Sequence, residues 1–134
     1  MVMIGKVNFC VIVVMLAITS CSCVCSYWGT TDELKERIPT YPFIASGKVL
    51  NIDNKKVGTV TTFELIKLYK GKTRRKILFI HQDGSNCNLR FTLNQKYLVY
   101  CYSNHNRFFT DQCTPTKFLD QADVDFEILV KSNL

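Results

Sequence analysis

A chain of 134 residues with 47% hydrophobic content and seven cysteines has room for one small domain, of a size that gains from covalent staples. Its formal net charge of +6 has a local source, Lys70-Gly71-Lys72-Thr73-Arg74-Arg75-Lys76, and elsewhere the signs are mixed. With no nucleic-acid motif and no low-complexity tail, that charge points to an acidic polysaccharide, an anionic membrane or an acidic protein, and away from nucleic acid.

Residues 1–22 read as an export leader: Lys6 gives the positive start, residues 7–17 the apolar stretch, and small residues follow. The uncharged run is shorter than the roughly 20 residues that a spanning helix needs. Cys10 lies inside it. Ser20 and Ser22 suit cleavage before Cys23, whereas Ile18-Thr19-Ser20-Cys21 resembles a bacterial lipobox, which would leave Cys21 lipidated and the chain anchored at the cell envelope. Simple cleavage before Cys21 is the third outcome. Each exports the chain to a compartment where thiols oxidise. Counted from Cys23, an odd number of cysteines remains, so one is free or pairs between molecules; counted from an unlipidated Cys21, the number is even.

In chain order, Ser26-Tyr27-Trp28-Gly29 reads as a loop, with Trp28 near enough to the cysteines to cover them or flank a contact ridge. Thr30 or Thr31 caps a predicted helix over 32–38, acidic early and basic late, and Pro39 and Pro42 end it. A long strand follows over 43–52, with Gly47 marking a bulge or bend, then a turn at 53–56. Residues 59–69 form a second strand, rich in β-branched and aromatic side chains and covered partly on both faces. After the basic turn, a third strand spans 76–81, a polar loop over 82–88 carries Cys87, and 89–94 turn into the next strand. The fourth strand, 95–103, puts Tyr97, Val99 and Cys101 on one face and Leu98, Tyr100 and Tyr102 on the other. Asn104-His105-Asn106 is a tight turn, 107–112 a fifth strand ending at Cys113, and Thr114-Pro115 opens a helical region with Phe118, Leu119, Ala122, Phe126, Leu129 and Val130 at helical spacing.

Five strands, a short N-terminal helix, a C-terminal helix and a stapled start fit a mainly β, OB-like Greek-key barrel over residues 23–134. A sandwich is the alternative.

The ordered features resemble the netrin-like (NTR) module, within it the single-domain proteins related to tissue inhibitors of metalloproteinases. They are the Cys-x-Cys start, the short helix, Phe43-Ile44-Ala45-Ser46-Gly47-Lys48-Val49, Thr62-Phe63-Glu64-Leu65 closing on Tyr69-Lys70-Gly71, Cys87, Lys96-Tyr97-Leu98-Val99-Tyr100, and Cys113 with Thr116 and a helix. The resemblance implies an OB-like barrel with Cys23 paired to Cys87 and Cys25 to Cys113, each bridge worth up to about 4 kcal/mol. Cys101 has no counterpart in it, and the third bridge and C-terminal subdomain of the animal inhibitors are missing. The resemblance also implies a mechanism: the α-amine and carbonyl of Cys23 chelate the zinc of an extracellular metalloprotease, Val24 enters its specificity pocket, and Cys25 completes the contact. An α-amine with a pKa near 8 is available as a neutral donor, and catalytic zinc keeps an open position. A lipidated Cys21 excludes this chemistry.

A second class of function is an extracellular binding module in which Lys70, Lys72, Arg74, Arg75 and Lys76 grip a polyanion. A third is a metal protein using Cys21, Cys23 and Cys25 with His81 or His105, against which stand the C-x-C-x-C spacing and the oxidising compartment. No resident cofactor or metal is expected. His81, Asp83 and Ser85 lie close in sequence but match no catalytic motif, so the chain reads as a non-enzyme. Cys101, inside an aromatic strand, reads as a buried thiol.

Overall fold

The computed structural model describes residues 23–25 and 29–132; the expected leader, Cys10, Cys21 and Trp28 lie outside the described residues. The first helix, α1 (Thr31–Arg37), starts where Thr30 Oγ1 accepts the amide of Glu33 at 3.2 Å, with acidic residues in the first turn and basic ones in the last. Pro39 converts its end to a 3-10 turn, Ile38–Thr40.

Six strands follow: β1 (Phe43–Asn54), β2 (Thr59–Lys70), β3 (Ile77–Gln82), β4 (Lys96–Asn104), β5 (Arg107–Phe109) and β6 (Lys117–Phe118). The sheet order is β1-β2-β3-β5-β4, and β4 also pairs with β1, which closes the ring. All these pairings are antiparallel except β3 with β5. The chain is therefore a five-stranded OB-type barrel rather than a sandwich, whose two sheets would stay open.

The strand alternation divides the apolar residues between two cores. Phe43, Ala45, Val49, Phe63, Tyr97, Val99 and Cys101 fill the barrel with Leu78, Ile80 and Phe91. Ile44, Leu98 and Tyr100 point outward and are covered by Leu34, Ile38 and Tyr41 from the N-terminal side and by Ala122, Ile128 and Leu129 from the C-terminal side. Thus β4 is buried on both faces from Tyr97 to Cys101.

Strand β2 does not keep a strict two-residue period. Its register against β1 shifts three times: between Val49 and Asn51, at Gly47, which faces Leu65 while Ser46 faces Lys67, and at Ala45, which faces Leu68 while Ile44 faces Lys70. Leu65 and Leu68 then both pack toward the interior, while Tyr69 joins the outer core. Gly47 sits at the middle shift; a Cβ there would lie 3.0 Å from the Glu64 carbonyl oxygen and 3.3 Å from Phe63. The expected bulge is present.

Two expectations are corrected after β4. Strand β5 stops at Phe109 instead of reaching Gln112, because side chains replace the ladder: Thr110 Oγ1 donates to the Tyr100 carbonyl at 2.9 Å and Thr116 Oγ1 accepts the Tyr100 amide at 3.0 Å. The terminal helix, α2 (Asp123–Lys131), begins later than Thr114-Pro115. Before it, β6 pairs with β4, placing the Phe118 ring against Tyr97 at 4.9 Å, and Leu119–Gln121 form a 3-10 turn. Helix α2 is fixed to the barrel by buried Asp125, which accepts from Tyr100 Oη and pairs with Lys117 Nζ at 2.7 Å. Both carboxylate oxygens of buried Asp125 are thus hydrogen-bonded, as burial requires, while Lys117 stays partly exposed.

Candidate functional site

The N-terminal Cys23-Val24-Cys25 segment lies across two loops at one end of the barrel. Cys23 is bonded to Cys87, in the loop between β3 and β4, and Cys25 to Cys113, in the loop after β5; the Cα separations are 5.0 and 5.2 Å. This is the pairing that the resemblance implies. The bridges stack closely: Cys23 Sγ is 3.9 Å from Cys25 Sγ and 3.7 Å from Cys113 Sγ. Both cysteines are half-buried while Val24 between them is 89% exposed. An apolar side chain is thereby held out in solvent on backbone pinned at both neighbours.

The loops under it are themselves tied together. The Gln112 amide donates to the Cys87 carbonyl at 2.8 Å, and Gln112 Nε2 donates to the Asn88 carbonyl at 2.8 Å. Asp111 accepts the Cys113 amide at 2.8 Å in an Asx turn, and Arg37 donates from α1 to the Cys113 carbonyl at 2.8 Å. On the other side, Asp83 Oδ1 accepts the Ser85 amide at 2.9 Å, which holds the Asp83 carboxyl below the usual carboxylate range. Gly58 and Gly84, both at positive φ, let the β1–β2 turn approach this loop: a Cβ on Gly58 would sit 2.0 Å from the Gln82 carbonyl oxygen.

Arg37, Asp111 and Gln112 escape sequence reasoning. Arg37 reads there as an ordinary basic residue of a last turn and Gln112 as part of a strand; only Asp111, two positions before a cysteine, carries a local turn signal.

The basic segment forms the β2–β3 loop. Lys72, Arg74, Arg75 and Lys76 are exposed, but Lys70 is turned back, its ammonium donating to the Pro39 carbonyl at 2.6 Å. The expected quintet is thus four exposed cations and one strut. Among the described residues the ion pairs lie elsewhere, at Lys55–Asp53 and Lys117–Asp125.

The proposed metal set loses its thiolates, since Cys23 and Cys25 are bonded in bridges; Cys21 lies outside the described residues. His81 packs its ring against Phe109 at 5.5 Å, while Asp83 accepts the Ser85 amide at 2.9 Å. Cys101 is a free thiol, fully buried in the barrel, and burial pushes its pKa up.

Fold and site together define a disulfide-stapled OB-fold domain whose first described residues are clamped over two loops. No protein-family model matches the chain, and no curated protein matches it.

Proposed function

We propose that this chain is an exported, non-enzymatic NTR-like module that inhibits zinc metalloproteases through Cys23-Val24-Cys25. The observation that carries the reading is the exposure of Val24, 89%, between two bridged cysteines. A side chain fixed in this way enters a concave pocket without losing much backbone freedom, so little ordering entropy opposes binding. The OB barrel and the cysteine pairing support the same reading.

The chemistry requires the leader to be cut before Cys23. The freed α-amine and the Cys23 carbonyl then occupy the open position of the protease's zinc and displace its water, while Val24 fills the adjoining specificity pocket. The bridges hold donor and side chain in one geometry.

The test is titration of a panel of zinc-protease catalytic domains with the mature protein and with Val24→Asp. Stoichiometric inhibition that Val24→Asp weakens by at least about 100-fold is expected, since a charge would be buried in an apolar pocket. Absence of inhibition, or an unaffected variant, overturns the proposal.

A second reading is polyanion binding by the β2–β3 loop. It is favoured by the exposure of Lys72, Arg74, Arg75 and Lys76 on one short loop. Loss of heparin retention when these four are neutralised is expected; unchanged retention overturns it.

A further inference from the structure

The outer face of β3 and β5 carries aromatic side chains where a solvated sheet face would be polar. Phe79 is 47% exposed in the middle of β3, His81 stands two residues further along, and Phe109 packs beside it at 5.5 Å. The Tyr102 ring extends the row from β4, parallel to Phe109 within 15° at 6.1 Å. The same face is concave. One trough of about 350 Å³ is lined by Arg75, Phe79, His81 and Arg107, and a second of about 450 Å³ by Lys55, His81, Arg107 and Phe109. They adjoin across His81 and Arg107, so a path with an aromatic floor runs from the basic β2–β3 loop to the β1–β2 turn.

Its charges are ordered. Arg75 marks one end, Arg107 the middle and Lys55 the other end; Asp83 is the one carboxylate among the residues lining the two troughs, and Lys55 is paired with exposed Asp53 at 2.8 Å. Such a surface pair is weak and exchanges readily for another anion. Asp111, hydrogen-bonded by Tyr102 at 3.0 Å, makes the Tyr102 edge acidic and confines an anionic chain to the path over Phe79 and His81.

We propose that this face binds an acidic polysaccharide, with sugar rings on Phe79, His81 and Phe109 and with sulfates or carboxylates on Arg75, Arg107 and Lys55. The proposal rests on the polyanion reading of the β2–β3 loop and gives that loop a bound path beyond it. Pyranose C–H groups lie against the electron-rich ring faces, and the guanidinium groups fork onto the anionic oxygens. A single nucleic-acid strand also combines flat rings with negative charge. The two disulfides favour the glycan, because they belong to a compartment outside the cytosol.

The test is a titration of isotope-labelled protein with a heparin-derived octasaccharide at physiological ionic strength, followed amide by amide. Shifts at Phe79, His81, Arg107, Phe109 and Lys55 are expected together with those at 72–76. Phe79→Ala should weaken binding about fivefold or more. Arg107→Gln, an exposed change, gives a second reading if Phe79→Ala fails to fold. Shifts confined to 72–76, with both variants binding as wild type, overturn the face but leave the loop. No binding at all overturns both. Equal or tighter binding of an oligothymidine of matching charge overturns the polysaccharide assignment.

Discussion

Removing one of the two bridges should release far less chain than its sequence separation suggests. Taken alone, Cys23–Cys87 closes a separation of 64 residues and Cys25–Cys113 one of 88. Each would then be worth about 4.5 kcal/mol in the chain-entropy model. They are not alone, because their loops overlap. With Cys23–Cys87 intact, breaking Cys25–Cys113 frees only a loop of about 28 residues, the two from Cys23 to Cys25 plus those from Cys87 to Cys113, and the same loop is freed by the opposite deletion. Either Cys→Ser pair should therefore cost about 3.5 kcal/mol, nearly the same for both. Removing the second bridge should cost about 4.5 kcal/mol more. Against a total of about 5–15 kcal/mol, the four-serine protein would be largely unfolded. Urea denaturation followed by circular dichroism measures this, with a rise in m as the unfolded chain expands. Losses that differ between the two pairs by more than about 1.5 kcal/mol, or a second deletion cheaper than the first, would refute the reasoning.

Thr110 Oγ1 is buried and donates to the Tyr100 carbonyl beside Thr114 and Thr116, so Thr110→Val should cost about 1–3 kcal/mol in the same denaturation assay. Thr61 Oγ1, by contrast, is buried among the described residues with no hydrogen-bond partner, and Thr61→Val should be neutral or stabilising. Burial, followed by the charge of Asp111, pushes the Tyr102 phenol up to about 12 from 10.0. Its folded pKa lies above its unfolded one, so that contribution is intact below pH 10.0 and is lost as pH rises toward about 12. Tyr102→Phe should flatten the alkaline loss of stability over that window, read as midpoint against pH.

The elements that the sequence makes legible are those whose side-chain period meets a single environment. In β4, Tyr97, Val99 and Cys101 enter the barrel while Leu98 and Tyr100 enter the outer core, as the alternation predicts. The short helix and its threonine cap are equally local. The segment from Thr114 to Phe118 is not legible, because Phe118 and Leu119 continue a helical spacing although pairing with β4 and the threonine hydroxyls decide their conformation. Strand β2 is legible as a strand covered partly on both faces, but not in which side chains go where, because its register shifts carry Leu65 and Leu68 to the same side. At the candidate site, the exposure of Val24 and the retreat of Lys70 onto Pro39 depend on contacts with residues distant in sequence, which no local pattern records.

The central claim is that a free α-amine on Cys23, beside a projecting Val24, does the inhibiting. It is tested most directly by comparing two forms against one zinc-metalloprotease catalytic domain, with masses confirming each N-terminus. One form begins at Cys23 and the other carries a single alanine before it. Stoichiometric inhibition by the first and a loss of at least about 100-fold in the second are expected, since the extension moves the amine away from the metal. Equal inhibition by both forms, or inhibition by neither, would contradict the claim.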